Sequence, residues 1–176
     1  MTDEEVARAA GIPVALAYAI RVVESGKRPH PHAVRFEPVL FHKHRPDLAA
    51  KFPYTPPKGT AEQTGRAALD RAMALDPQAA VESSSFGSYQ DLGRVLLSVT
   101  GLPPREAVAA FDADPDGFSA RMLVRWLKLR PKFLEEANEP APNFDRLGML
   151  YNGKHSYGPL LKAAHDAYLA RWPEVG

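Results

Sequence analysis

Residues 13–26 read Pro13-Val14-Ala15-Leu16-Ala17-Tyr18-Ala19-Ile20-Arg21-Val22-Val23-Glu24-Ser25-Gly26. Proline suits the first position of a helix, where its missing N–H would find no partner, and glycine suits the residue just past the end. Between them, Val14, Ala17, Tyr18, Ile20 and Val22 spread apolar surface around much of the helix, which is the pattern of a helix buried in a small domain. Glu24 is thereby predicted in the last turn of a buried helix. There the negative end of the helix dipole and the apolar neighbours Val22 and Val23 both disfavour a charged carboxylate.

Upstream, Thr2-x-x-Glu5 reads as a capping box that opens a short helix ending near Gly11. Downstream, Pro29 and Pro31 exclude helix, and Val34-Arg35-Phe36-Glu37-Pro38-Val39-Leu40-Phe41 is rich in strand formers with partial alternation. A two- or three-stranded β element is expected at about residues 33 to 44. A loop over Phe52–Gly59 precedes Thr60-x-x-Gln63, a second capping box, with a helix running to about Leu75. Asp76-Pro77 starts another helix ending near Ser83. Further helices are expected at about 91–100, 103–111, 116–137 with a break at Pro131, 143–151 and 158–172. The chain is mainly α with one small β hairpin or sheet, and its 176 residues, 45% of them hydrophobic, predict a single domain spanning 1–176.

Composition narrows the classes of function. Lys and Arg number 22 against 21 Asp and Glu, so no overall basic field draws the chain to nucleic acid. The absence of cysteine excludes a disulfide framework, a thiolate metal site and a thiol nucleophile. No run approaches the roughly 20 apolar residues of a membrane span, so membrane insertion is not expected. The start, Met1-Thr2-Asp3-Glu4-Glu5, is acidic and lacks the positive and apolar regions of a secretory signal.

Two specific alternatives are weak. Glu4 to Pro13 resembles the first half of a helix-turn-helix DNA reader, yet in the following helix only Arg21 could contact phosphate or guanine. His30, His32, His42 and His44 form two H-x-H pairs, but no acidic ligand sits at a matching spacing. Neither a metal nor another cofactor is expected.

Four short motifs, in order, carry a resemblance. Val23-Glu24-Ser25-Gly26 is similar to the V-E-S-G signature of the N-acetylmuramidase family found in phage endolysins. Phe36-Glu37-Pro38-Val39-Leu40-Phe41 resembles that family's F-E-x-H-x-F, with Val39 in place of the histidine. An alternative register over Phe41-His42-Lys43-His44 keeps a histidine and loses the glutamate. Ser83-Ser84-Ser85-Phe86-Gly87-Ser88-Tyr89-Gln90 matches S-x-S-x-G-x-x-Q, and Tyr151-Asn152-Gly153 matches Y-N-G. The same order resembles the wider goose-type lysozyme and lytic transglycosylase group.

The resemblance spans about residues 5 to 172 and implies a lysozyme-like fold and a peptidoglycan-cleaving muramidase. It makes Glu24 the catalytic acid, which must stay protonated near neutral pH to release a glycosidic oxygen. Glu37 becomes the auxiliary carboxylate that holds or activates water, acts as nucleophile, or simply binds Arg35 or a sugar hydroxyl. Ser83 and Ser85 can donate toward acid or sugar, Gln90 can serve an N-acetyl group, and Tyr151 with Asn152 can close the cleft floor. The implied partner is the glycan strand of bacterial peptidoglycan, acted on by a monomer. Such a chain, made in the cytoplasm without a signal, would reach the wall through lysis, a holin pore or a secretion machine. A lytic transglycosylase, or an inactive glycan-binding or structural phage protein, are the alternatives with the same fold.

Overall fold

The structure is a computed structural model that describes residues 1–25, 33–56 and 58–173. The expected helix stop at Gly26, the two prolines Pro29 and Pro31 and the first histidine pair, His30 and His32, lie outside the described residues. In chain order the first half holds α1 (Asp3–Ala10), α2 (Val14–Ser25), β1 (Val34–Phe36), α3 (Pro38–His44), a 3-10 turn (Pro46–Lys51), α4 (Ala61–Thr64) and α5 (Arg66–Leu75). Then come α6 (Pro77–Glu82), β2 (Ser84–Phe86), β3 (Asp91–Leu92), α7 (Gly93–Thr100), α8 (Pro104–Ala113) and α9 (Pro115–Lys128). The last helices are α10 (Pro131–Ala137), α11 (Phe144–Asn152) and α12 (Tyr157–Arg171). The chain divides into two compact units, one of Met1–Pro29 with Ala120–Gly176, the other His30–Ser119.

In the unit that holds both termini, α1 opens on the expected capping box. Glu5 Oε2 accepts from the Thr2 N–H at 2.9 Å and Thr2 Oγ1 accepts from the Glu5 N–H at 3.3 Å. Gly11 ends the helix at φ 74°, a left-handed position that costs glycine nothing. α2 turns away at 116° and is tied back by Arg21, whose Nε and Nη2 donate to the two Asp3 oxygens at 2.9 and 2.8 Å. That fork engages the one side chain on which a DNA-reading role rested. Leu16, Ala17, Ala19 and Ile20 are buried, as an all-round apolar helix requires. α12 packs along α2 and α11. No single helix among the described residues is long and apolar enough to cross a membrane.

The other unit carries the sheet, and here the sequence reading needs correction. The strand expected to run through Phe41 stops at Phe36, and residues 38–44 form α3 instead. Pro38 has no N–H to give to a ladder, but it fits the first position of a helix with Glu37 at the N-cap. The apparent alternation was one face of that helix: Phe41 is fully buried, while Val39 is 43% exposed. Phe36, Phe41 and Phe52 pack ring against ring at 4.8 to 5.6 Å and anchor both elements.

The partners of β1 come from far along the chain. β1 pairs antiparallel with β2, Arg35 opposite Ser85, and β2 pairs with β3, Ser85 opposite Leu92. The serine-rich motif thus supplies the central strand, with Ser84, Ser85 and Phe86 all buried. Likewise the helix expected over 60–75 is broken at Gly65, which is extended at ψ −169° and separates α4 from α5. The capping boxes and proline starts at Thr60 and Asp76 are as read.

Candidate active site

Glu24 lies in the last turn of α2, partly exposed at the end of a helix whose earlier turns are buried. Burial pushes its carboxyl above the ordinary carboxylate range, against the opposing pull of hydrogen bonds from Tyr157 and Tyr151. The Tyr157 hydroxyl donates to Glu24 Oε1. Burial and the neighbouring Glu24 charge in turn hold the Tyr157 phenol well above its usual range, so it stays a donor.

The two phenols meet because two glycines let helices touch. A Cβ on Gly148 of α11 would sit 2.4 Å from the Gly158 backbone nitrogen, and one on Gly158 would sit 2.6 Å from the Phe144 carbonyl oxygen. No side chain fits there, so α11 and the start of α12 approach at backbone contact. Gly153, at φ 77°, ends α11 and turns the chain back. The Tyr151 and Tyr157 rings consequently stack, with centroids 5.4 Å apart and planes 18° from parallel. Tyr151 also meets the edge of Trp126 at 4.9 Å and Phe133 at 6.0 Å. Asn152, the last residue of α11, is exposed.

Of the residues expected in the site, Glu24, Tyr151 and Asn152 belong to the terminal unit, and the structure joins the first two directly. Tyr157 was not anticipated. Its one signal in the sequence is the pair of glycines ten residues apart that brackets Tyr151 and Tyr157, a spacing that suggests close approach only once the two helices are known to be packed neighbours.

The remaining expected residues belong to the unit of the sheet. Ser83 is fully enclosed, and its Oγ has no partner among the described residues. Ser85 donates to Gln90 Oε1 at 3.1 Å, and Gln90 Nε2 donates to the Gly87 carbonyl at 3.0 Å. The turn between β2 and β3 is tight: Gly87 sits at φ 71°, where a Cβ would press on Ser119 Oγ at 2.5 Å, and Gln90 sits at φ 48°. A left-handed glutamine is rare enough to mark a position held by its surroundings. Ser119 Oγ in turn donates to Asp91 Oδ2 at 2.6 Å.

Glu37 caps α3 by position without a side-chain cap bond, and its carboxylate pairs with Arg35 Nε at 2.8 Å. Its N–H donates to the Ser83 carbonyl at 2.7 Å, which ties the start of α3 to the strand region. His42 Nε2 lies 2.7 Å from the Phe52 carbonyl, and His44 faces Glu82 at 3.8 Å, so both histidines of the second H-x-H pair make local contacts. Among the described residues no group of three His, Asp or Glu side chains is placed to hold a metal ion.

Comparison with known proteins gives the family and the fold. The N-acetylmuramidase family matches residues 14–169, which include Glu24, Glu37, the Ser83–Gln90 stretch, Tyr151 and Tyr157. The crystal structure of the Burkholderia AP3 phage endolysin is similar in fold, with a TM-score of 0.69 and 22% identity over 96% of this chain and 70% of that one. None of the curated proteins matches it. The fold is lysozyme-like, mainly α with a three-stranded antiparallel sheet. An acid set among phenols at the end of a buried helix, in a chain that matches the family over nearly its whole length, leads to one conclusion: this chain belongs to the N-acetylmuramidase family and is a peptidoglycan-cleaving glycoside hydrolase.

Proposed function

We propose that the chain cleaves the β-1,4 bond between N-acetylmuramic acid and N-acetylglucosamine in bacterial peptidoglycan, with Glu24 as general acid. The observation that carries the reading is the Glu24 carboxyl itself, raised by burial and contacted by two phenols. A raised carboxyl keeps its proton to higher pH than an ordinary carboxylate does, and can give it to the leaving glycosidic oxygen. As the proton leaves, negative charge grows on Glu24, and the Tyr157 and Tyr151 donors then stabilise it more than they did the neutral acid. Such donors act on the transition state in preference to the resting enzyme.

In this reading Glu37 is auxiliary and positions water or a sugar hydroxyl. Tyr151 and Asn152 bind the glycan beside the acid, and Ser85 with Gln90 offers a donor and acceptor pair to an N-acetyl group. Ser83 is enclosed, so its contribution is to the strand region and not to the sugar. The two units work as one muramidase domain, a monomer that needs no cofactor. It acts on the wall after lysis or delivery.

The test is clearance of purified cell walls together with mass spectrometry of the released fragments. Glu24→Gln should reduce clearance to background, and wild-type products should carry reducing ends that have gained one water. Products lighter by one water would instead identify a transglycosylase that closes a 1,6-anhydro ring.

A further inference from the structure

We infer that the cavity beside Tyr151, rimmed by Arg130 and Lys132, binds the anionic peptide stem of the peptidoglycan strand that the enzyme cleaves. The inference rests on the muramidase reading above and adds a recognition site to it. The cavity has a volume of about 290 Å³ and is lined by Arg130, Pro131, Lys132, Phe133 and Leu150. That lies at the small end for ligand pockets, enough for part of a short peptide.

Its floor packs against a ring of the candidate site. Phe133 lines the cavity and meets the Tyr151 ring at 6.0 Å, Leu150 is its neighbour in sequence, and Tyr151 contacts Glu24. A ligand seated here rests on a side chain that packs against the ring contacting the acid.

The rim fixes the charge of the occupant. Arg130 is held in place twice: its guanidinium lies over the Trp126 ring at 3.9 Å, and Nη1 donates to the Leu150 carbonyl at 3.1 Å. Its remaining N–H groups have no carboxylate partner among the described residues, and neither has Lys132. Along residues 119–134 the sequence has Arg121, Arg125, Lys128, Arg130 and Lys132 and no Asp or Glu. A pre-oriented guanidinium beside an ammonium over an apolar floor suits a carboxylate on a short aliphatic peptide. A neutral sugar would use neither charge. Peptidoglycan stems carry such carboxylates on small aliphatic residues.

The experiment compares two substrates for the same full-length enzyme: intact sacculi, and glycan strands from which an amidase has removed the stems. Arg130→Gln with Lys132→Gln should lower kcat/KM on sacculi about tenfold, mainly through KM, the loss expected for one or two charge-assisted hydrogen bonds. Activity on stem-free strands should stay at the wild-type value. Arg130→Lys keeps a charge and should recover part of the loss, which separates lost recognition from lost folding. An equal fall on both substrates, or no fall on either, would overturn the inference. So would a fall on sacculi that disappears when only overall charge is restored by a distant Gln→Lys change. Failure of Glu24→Gln to abolish cleavage of stem-free strands would instead overturn the catalytic reading, and leaves a separate mark.

Discussion

The Tyr157 hydroxyl donates to Glu24 Oε1 across 133 residues of chain. A donor to a carboxylate favours its ionised form, so this contact works against burial, which raises the carboxyl. Tyr157→Phe removes the donor and leaves the burial. The Glu24 carboxyl should then rise further, and the basic limb of the pH–activity profile should move to higher pH. Maximal kcat should fall, because the charge formed as the proton leaves has lost one of its two donors; about tenfold is expected for one hydrogen bond to a charged group. A profile that moves to lower pH would contradict the assignment.

Glu24→Gln separates function from stability. A carboxyl raised in the folded state binds its proton more tightly there than in the unfolded chain. Folding is therefore penalised as pH rises above about 4.5, where the unfolded carboxyl ionises, and the penalty is complete above the folded value. The amide carries no such penalty. Thermal melting should show Glu24→Gln more stable than wild type at pH 7 and the difference shrinking to nothing below pH ~4. Over the same range lytic activity should be down by about 10² to 10⁴.

Gly148 tests the packing that brings the phenols together. A Cβ there would stand 2.4 Å from the Gly158 nitrogen, a backbone atom that cannot rotate aside. Gly148→Ala should cost roughly 1–3 kcal/mol by denaturant unfolding, as overpacking does. It should also reduce activity beyond what the loss of folded protein explains, because Tyr151 and Tyr157 are set on the two helices it forces apart.

What could be read in advance was what is local. Thr2 with Glu5, Thr60 with Gln63, and Asp76 before Pro77 fix helix starts through contacts three residues apart, and all three caps are present. Pro13 and the apolar run after it placed Glu24 correctly at a helix end. The pairing of residues 34–36 with 84–86 was not legible, since nothing in either stretch names a partner some fifty residues away. Pro38 was the missed local clue: it argues against a continuing strand, and its fit to a helix start outweighs the strand propensity of Val39 and Phe41. Tyr157 depended on tertiary structure entirely, because only the close crossing at Gly148 and Gly158 brings it over Tyr151 and Glu24.

Glu37 pairs with Arg35, whose side chain is 65% exposed. An ion pair in water contributes about 0–1 kcal/mol, so Glu37→Gln should leave the melting temperature nearly unchanged. Activity is the informative readout. An auxiliary carboxylate that positions water or sugar should leave measurable lysis, reduced less than in Glu24→Gln, whereas lysis at background would make Glu37 nucleophile or base.

Gln90 combines an uncommon backbone with a side chain bonded at both ends of its amide, each end keeping one further hydrogen-bonding position. At φ 48° any residue with a Cβ is strained, and glycine is not. Its amide meanwhile joins Ser85 to Gly87 by bonds of 3.1 and 3.0 Å. Gln90→Ala and Gln90→Gly both remove those bonds, but only glycine relieves the backbone, so Gln90→Gly should be the more stable of the two by roughly 1 kcal/mol. If glutamine is kept at a strained position because its amide serves the substrate, the two variants should lose activity to the same extent despite their different stabilities, with KM rising in both. Should Gln90→Gly retain full activity while Gln90→Ala does not, the side chain is structural, and the binding role proposed for Gln90 is wrong.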